Sequence, residues 1–425
     1  MFASLAFVAA PLSAAAQMNA QTVDVDSGVA VLDGPWGFHA GDDPHWAEPD
    51  ADDRSWEAVS LHAPVEANDG DVGLSRYAKG WTMKGHPQLS GYAWYRLRVC
   101  VRGANGQPLR IAAPFAVDDA YQLFVNGTKL GGIGQFDAPV PVVFSARPFA
   151  FDVPAGSGNC GERGVPVAIA IRTWLAPADL APGSGGIHIA PALGTQQGIT
   201  AWTGREWNEI FWGYLVDAVE PAIFVALAAF ALLRWRTERR LAYLWLCAAL
   251  LGTALLRGNN AFFSWFGIED AAQYTLFSLV LLPPLVLALW TLTAQCWVRG
   301  RVRVPIALLV AALTVLLIRV LATENYASNL AEVAATAERW LRYAFALLFA
   351  ATIWSALAKK AFAQAAAIAV LAVALFATEL SRLNVPGIWF VLGTGVSRTQ
   401  YALAVFALLV YVALERRHPP VPASP

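Results

Sequence analysis

Ile210–Arg240 reads IFWGYLVDAVEPAIFVALAAFALLRWRTERR. It is a long apolar run, interrupted by Asp217 and Glu220 and closed by Arg234, Arg236, Arg239 and Arg240. A bilayer core about 30 Å thick takes about 20 apolar residues in helical form, so 210–234 is long enough to cross one. Working outward, six further runs follow at 241–262, 272–297, 304–322, 340–358, 361–380 and 400–414, the last beginning a few residues earlier. The sequence thus predicts a seven-helix transmembrane bundle over residues 201–414.

The rest of the composition agrees. Of 425 residues, 57% are hydrophobic and 14% charged, and the mean hydropathy is +0.46. A soluble domain sits nearer 45–50% apolar and about 25% charged. An ordinary soluble enzyme, a disordered chain and a nucleic-acid binder are therefore excluded. The net charge of −1 hides a division: residues 1–200 carry 19 acidic against 12 basic side chains, and residues 201–425 carry 12 against 18.

Basic residues orient the spans. Arg234, Arg236, Arg239 and Arg240, then Arg299, Arg301 and Arg303, then Lys359 and Lys360, then Arg416 and Arg417 occupy alternate short connections, 11 of the 18 in this half. The opposite connection around Glu269 and Asp270 has no Lys or Arg. The arginine-marked side is expected in the cytoplasm, leaving the N-terminal half outside. Met1–Gln17 fits that expectation, with small apolar residues and Ala14-Ala15-Ala16 before Gln17. Residues 1–16 read as a signal peptide without the usual basic start; the alternative is an ordinary apolar element. Trp202, Trp207 and Trp212 open the first span, and Trp235 and Trp297 close spans on the inner side, as headgroup-seeking rings do.

Charges inside spans are expensive in lipid and so informative. Asp217 and Glu220 are three apart on one helical face. Arg257, Arg319 and Glu379 fall near the outer ends of their spans. Acids on the first and sixth spans are expected to meet arginines on the second and fourth. Such a network either fixes helix packing or couples the exported half to the bundle. An ion pathway fits less well, because no acidic residue continues it inward. Pro221 and Pro283-Pro284 are expected to bend their helices. The absence of an inverted repeat weighs against a transporter.

Residues 22–200 are rich in Gly, Pro, Asp and aromatics. Gly91–Val101 (GYAWYRLRVCV) and Val165–Ile171 read as strands, and Tyr121–Leu130 (YQLFVNGTKL) as two strands around the hairpin dipeptide Asn126-Gly127. Asn126-Gly127-Thr128 also matches a glycosylation sequon, although the turn alone accounts for it. Many short strands with turn signals predict an all-β sandwich.

Three stretches carry a resemblance. They are Gly34–Trp56 (GPWGFHAGDDPHWAEPDADDRSW), Gly91–Arg96 (GYAWYR), and Asp118–Tyr121 continuing to Val125-Asn126-Gly127. With Ala168–Arg172 and Gly185–Gly194 (GGIHIAPALG), they resemble the galactose-binding-like jelly roll of family 2 glycoside hydrolases over about residues 30–195. Joined to seven spans, such a domain is similar to the bacterial seven-transmembrane receptors with diverse intracellular signalling modules. Two departures qualify what this implies. The catalytic carboxylates of those hydrolases lie in a barrel domain not seen here, so no enzymatic activity carries over. After Leu414 only Glu415–Pro425 follow, so the output module is expected either beyond this chain or on a separate partner.

Sugar sites use aromatic platforms on loops. Trp81, Tyr77, Trp46 and His86 are the candidate ligand-binding residues, whereas Trp36, Trp56, Trp94 and Tyr95 read as core. Asp50, Asp52 and Asp53 offer carboxylates for a structural Ca²⁺, with a solvated turn as the alternative. Cys247 and Cys296 lie in apolar runs. Cys100 and Cys160 fall in the half expected to be exported, where one disulfide forms if their Cα atoms come within about 7 Å. No CxxC or HxH spacing or other motif calls for a metal or cofactor.

The reading is a bacterial inner-membrane sensor with a cytoplasmic C-terminus. Its exported domain detects a small molecule, carbohydrate being the class the resemblance implies, and its bundle addresses a cytoplasmic effector. The expected partners are the bilayer, that ligand and that effector, and not nucleic acid. The alternatives are a membrane-anchored binding or scaffold module without signalling and, third, a transporter.

Overall fold

The structure is a computed structural model and describes residues 20–64, 67, 74–136, 141–143, 145–156, 159–160, 164–268, 270–326, 330–382 and 396–415. The expected signal segment, Glu269, Arg416, Arg417 and the rest of the tail lie outside the described residues.

Among the described residues, the N-terminal half is two packed sheets. The larger has seven strands: β1 (Gln21–Asp24), β3 (Trp36–Ala40), β4 (Glu57–Val59), β5 (Gly91–Arg102), β8 (Ala120–Val125), β9 (Thr128–Ile133) and β11 (Val165–Leu175). Its order is β4-β3-β5-β11-β8-β9, with β1 parallel to the end of β5. The smaller sheet runs β10-β6-β13-β2, from Ala150–Asp152, Leu109–Ala112, Ala192–Thr195 and Val29–Val31. A two-stranded ribbon joins β7 (Val117–Asp118) to β12 (Gly186–Ile187).

Alternation explains the core. Tyr95, Leu97, Val99, Tyr121, Leu123, Val125, Ile169 and Ile171 point from the central strands toward Ile111 and Leu193 of the smaller sheet, the interdigitation expected of a sandwich. Trp36 and Trp81 are fully buried there. The outer face of β5 is covered too. Residues 41–56 fold over it, Trp94 Nε1 donates to Asp42 at 3.0 Å, and Arg96 is only 2% exposed. The expected hairpin is present, with Asn126 and Gly127 both at positive φ. The Asn126 side chain is engaged as well: Nδ2 donates to Pro154 O at 3.0 Å and Oδ1 accepts from Ala168 N at 2.9 Å. A glycan on Nδ2 would displace the first of these bonds, so the turn explains Asn126. Cys100 and Cys160 form a disulfide with Cα atoms 5.7 Å apart.

The second half is helical: α1 (Gln196–Glu238), α2 (Leu241–Trp265), α3 (Ala271–Thr275), a wide π turn over Leu276–Leu281, α4 (Leu282–Arg299), α5 (Val304–Tyr326), α6 (Ala331–Ala358), α7 (Phe362–Leu375), α8 (Ala377–Arg382) and α9 (Arg398–Glu415). Among the described residues, five helices are long and apolar enough to cross a membrane: α1, α2, residues 272–299, α5 and α6. Phe362–Leu375 and Thr399–Glu415 are apolar but shorter. The sixth expected run divides at Phe376, and the first begins well before Ile210. Pro221 sits inside a continuous α1, while Pro283 and Pro284 open α4 directly after the π turn.

Phe224, Trp290, Phe345, Phe349 and Phe406 fill the bundle interior, and Trp290 Nε1 donates to Thr253 at 2.8 Å. Outward-facing Trp340, Leu347 and Trp354 of α6 are 68–74% exposed. Apolar surface on that scale is what a bilayer covers.

Candidate functional site

The two halves meet without a linker. β13 ends at Thr195 and α1 begins at Gln196, with Thr195 Oγ1 accepting from Gly198 N at 3.2 Å as the N-cap. A strand of the sandwich is therefore continuous with a 43-residue helix.

Where the sandwich faces the helices lie adjacent aspartates whose carboxyl groups diverge. β7 pairs with β12, placing Gly186 opposite Asp118 and bringing His188 alongside. The approach depends on glycine: Gly186 has φ +81°, and a Cβ there would lie 2.1 Å from the Tyr95 hydroxyl. Asp118 Oδ2 accepts from Gly185 N at 3.0 Å and lies 2.9 Å from His188 Nε2. The other ring nitrogen, Nδ1, is 2.8 Å from Ala78 O. A carbonyl only accepts, so Nδ1 carries a proton, and a second lies between Nε2 and Oδ2. Burial raises the Asp118 carboxyl, but the His188 charge and hydrogen bonds outweigh it and hold the group below the usual carboxylate range. Tyr77 stacks flat on His188, centroids 4.4 Å apart. Tyr77 also packs with Ile210 and Tyr214 of α1 and Trp265 of α2. Next to it, Arg76 covers the Trp202 ring at 4.6 Å and lies 3.9 Å from Glu206 and Glu209.

Asp119 turns the other way. Its Oδ2 accepts from Ala176 N at 2.7 Å, and its carboxyl is hydrogen-bonded to that of Asp179. Two carboxyls bonded to each other share a proton. Burial, then the charges of Asp179 and Asp118, push Asp119 well above its ordinary value. Burial likewise carries Asp179 up to about 6, the Asp119 hydrogen bond opposing it. The turn Pro177–Asp179 lies against α3 and α5. Trp174 and Ala176 pack with Val143, Ile268, Phe263 and Tyr274, and Val143 and Ile268 exchange backbone hydrogen bonds at 2.9 and 2.7 Å. One aspartate therefore faces α1 and α2, the other the α2–α3 corner.

A further charged group lies below. Arg257 of α2 pairs with Asp217 and, through Nε at 2.7 Å, with Glu220, both on α1. Gln400 of α9 closes the group, donating to Asp217 at 3.0 Å and to Gly213 O at 3.1 Å. Asp217, Glu220 and Arg257 do meet, as expected. Glu379 does not meet Arg319: Arg319 is exposed, and Glu379 pairs with Arg342 of α6, whose Nη2 reaches it at 2.9 Å. Arg342 lies one helical turn from Glu338 (3.7 Å), a spacing visible in sequence.

The proposed ligand residues do not converge. Trp81 is 2% exposed and belongs to the sandwich core, so it offers no platform. His86 is 2.8 Å from Glu57 and packs on Phe38, Tyr77 lies on His188, and Trp46 sits across the large sheet with His39 and Trp56. The Ca²⁺ candidate is also corrected. Asp53 is spent on Arg96 and Arg98, Asp52 on Arg54, and Asp50 is left alone at the surface. Among the described residues no group of His, Cys, Asp or Glu has the arrangement of a metal site.

No family model matches the chain, and no curated protein does. Among solved structures it is similar to β-glucuronidase 2 of Bacteroides uniformis covalently bound to cyclophellitol-6-carboxylate aziridine, at 18% identity and TM-score 0.27, covering 39% of this chain and 18% of that one. A second B. uniformis β-glucuronidase gives 20% identity and TM-score 0.27, with 39% and 17% covered. A family 2 β-galacturonidase from Eisenbergiella tayi bound to glycerol gives 15% and 0.24, with 39% and 24% covered. The chain spans about a fifth of the length of these structures.

Proposed function

We propose that the chain is a membrane sensor whose β-sandwich reports its state to the helical bundle. In this reading the sandwich is a jelly roll on the outer side of a bacterial inner membrane. The two shorter apolar helices complete seven spans, and the arginine-rich connections face a cytoplasmic effector. The observation that carries the proposal is the unbroken passage from β13 into α1. A rigid rod fixed at one end in a sandwich cannot change its tilt or rotation without moving the helices packed on its other end. The Asp118–His188–Tyr77 group bears on α1 and α2 beyond that passage, and the Asp119–Asp179 group on α3 and α5. A ligand shifts such a system only through different affinity for two states.

The test uses full-length protein in nanodiscs, screened against a carbohydrate panel by thermal shift. Spin labels at Arg239 and Glu415, at the far ends of α1 and α9, report distance in a Cys247→Ser/Cys296→Ala background. A sugar that stabilises the protein and moves the far-end distance supports a sensor. One that stabilises without movement makes the chain a binding anchor, and a panel without hits removes carbohydrate as the ligand class.

A further inference from the structure

The bundle end remote from the sandwich holds two cavities. α4 ends there at Arg299, capped by Gly300 at φ 78°, and Arg301–Arg303 lead into α5. Facing them is the end of α6, where Lys359 Nζ donates to Val298 O at 3.0 Å. Arg299, Arg301, Arg303, Lys359 and Ser355 line a cavity of about 370 Å³. Four cations and one hydroxyl converge on it with no carboxylate. Among the described residues none of the four forms an ion pair, whereas Arg234 and Arg240, also remote from the sandwich, are balanced by Glu238. Like charges gathered this closely repel one another, and an anion with several acceptor oxygens relieves that repulsion. Guanidinium forks match the oxygens of phosphate.

A second, mainly apolar cavity of about 560 Å³ is walled by Leu246, Trp297, Phe362, Ala363, Ala367 and Leu409, with Lys360 and Gln364 also on its wall. It shares the end of α4 (Trp297, Arg299) and the α6–α7 connection (Lys359, Lys360) with the first. Neighbouring carbonyls of α4 tie the two linings together: Lys359 of the first donates to Val298 O, and Gln364 Nε2 of the second to Trp297 O at 3.4 Å. A cationic cavity adjoining an apolar one, at the end of membrane-length helices, has the polarity pattern of one kind of molecule. We propose that this is a binding site for an anionic phospholipid, its phosphate among Arg299, Arg301, Arg303 and Lys359 and an acyl chain in the apolar cavity.

The test is thermal unfolding and native mass spectrometry of the full chain in detergent at fixed ionic strength. The additions are phosphatidylglycerol, phosphatidylcholine of the same chains, or inorganic phosphate. Phosphatidylglycerol is expected to raise Tm above the phosphatidylcholine value and to stay bound in the gas phase. Arg301→Gln/Arg303→Gln, at exposed positions that leave the fold intact, is expected to weaken that binding roughly tenfold or more. Ala363→Trp, which narrows the apolar cavity without touching the cations, should weaken it independently. Equal stabilisation by the two lipids, or an arginine variant that keeps the full gain, overturns the site. Inorganic phosphate matching phosphatidylglycerol in both wild type and Ala363→Trp overturns the lipid assignment in favour of a soluble phosphate ligand.

Discussion

Two carboxylate groups of the β-sandwich are built on opposite terms. On the outer face of the large sheet, Asp53 is 5% exposed and meets two guanidiniums, Arg96 at 3.2 Å and Arg98 at 2.6 Å. Where the sandwich meets the bundle, three carboxyls share one histidine's worth of positive charge: Asp118 faces His188, while Asp119 and Asp179 face each other. Where cations outnumber carboxylates, the charge is fixed and the group acts as a rivet. Where carboxylates outnumber cations, protons must make up the difference, and the group responds to pH and to whatever binds beside it. Protein stability should follow the first group, and switching the second.

The largest expected effect tests the rivet. Asp53→Ala leaves Arg96 buried without its counter-ion and should cost about 3–5 kcal/mol, read as a lower unfolding midpoint of the sandwich in the full-length protein. A loss near zero would mean that Asp53 is no more structural than the aspartates at the joint, and the contrast would fail. Next in size is Asp118→Asn, which keeps the shape but removes the carboxylate facing His188. A cost of about 1–3 kcal/mol is expected at pH 7. Because the Asp118 carboxyl is held below its ordinary value, its contribution is present above the unfolded carboxylate pKa and fades as pH falls. The gap between variant and wild type should therefore begin to narrow below about pH 4 and close only as pH falls through the lowered folded value.

Asp179 has the opposite sign. Its carboxyl is raised to about 6 in the folded protein from an ordinary value of 3.8, so the folded state binds the extra proton. The stability it adds is complete below about pH 4 and is lost as pH rises through about 6. Asp179→Asn should flatten the wild-type pH profile across that window and leave the Asp118 limb unchanged. An unaltered slope would show that Asp119 and Asp179 do not share a proton.

Legibility in the sequence followed the same division. Strands, hairpin and apolar helices could be read because periodicity and run length report burial directly. The Asp217–Glu220 pair was legible because two acids at helical spacing inside an apolar run demand a cation, and Arg257 was at hand. Arg342, four residues after Glu338, is the cation that Glu379 takes in place of the arginines expected on the second and fourth spans. Ion pairing between helices depends on their rotation, which no single run encodes. The joint was the hardest part. Asp118-Asp119 lies in FAVDDAYQLF, where two charges interrupt a buried strand, and that was a usable signal. Their partners His188 and Asp179 come from a segment 60 or more residues later, brought in by the β7–β12 ribbon. Trp81 and Trp46 misled for a related reason: an aromatic on an irregular segment can fill the core or lie on the far side of a sheet as readily as it can face a ligand.

The smallest expected effect addresses the joint most directly. Tyr214 of α1 donates its hydroxyl proton to Ala146 O at 3.0 Å, so Ser145 Oγ, 2.6 Å away, must donate to Tyr214. This pair ties a loop of the sandwich to the helix that continues from its last strand. Ser145→Ala and Tyr214→Phe should each cost about 0.5–1.5 kcal/mol. Their size matters less than their sum. If sandwich and bundle unfold as one coupled body, the double variant should lose measurably less than the two singles together, as residues in direct contact do. If the halves unfold independently, Ser145→Ala should move only the sandwich transition and Tyr214→Phe only the bundle transition, with no coupling energy between them. A rod that transmits state needs the first outcome. Strict additivity, with two separate transitions, would leave α1 as a tether and place the aspartates at the joint beside a hinge instead of a lever.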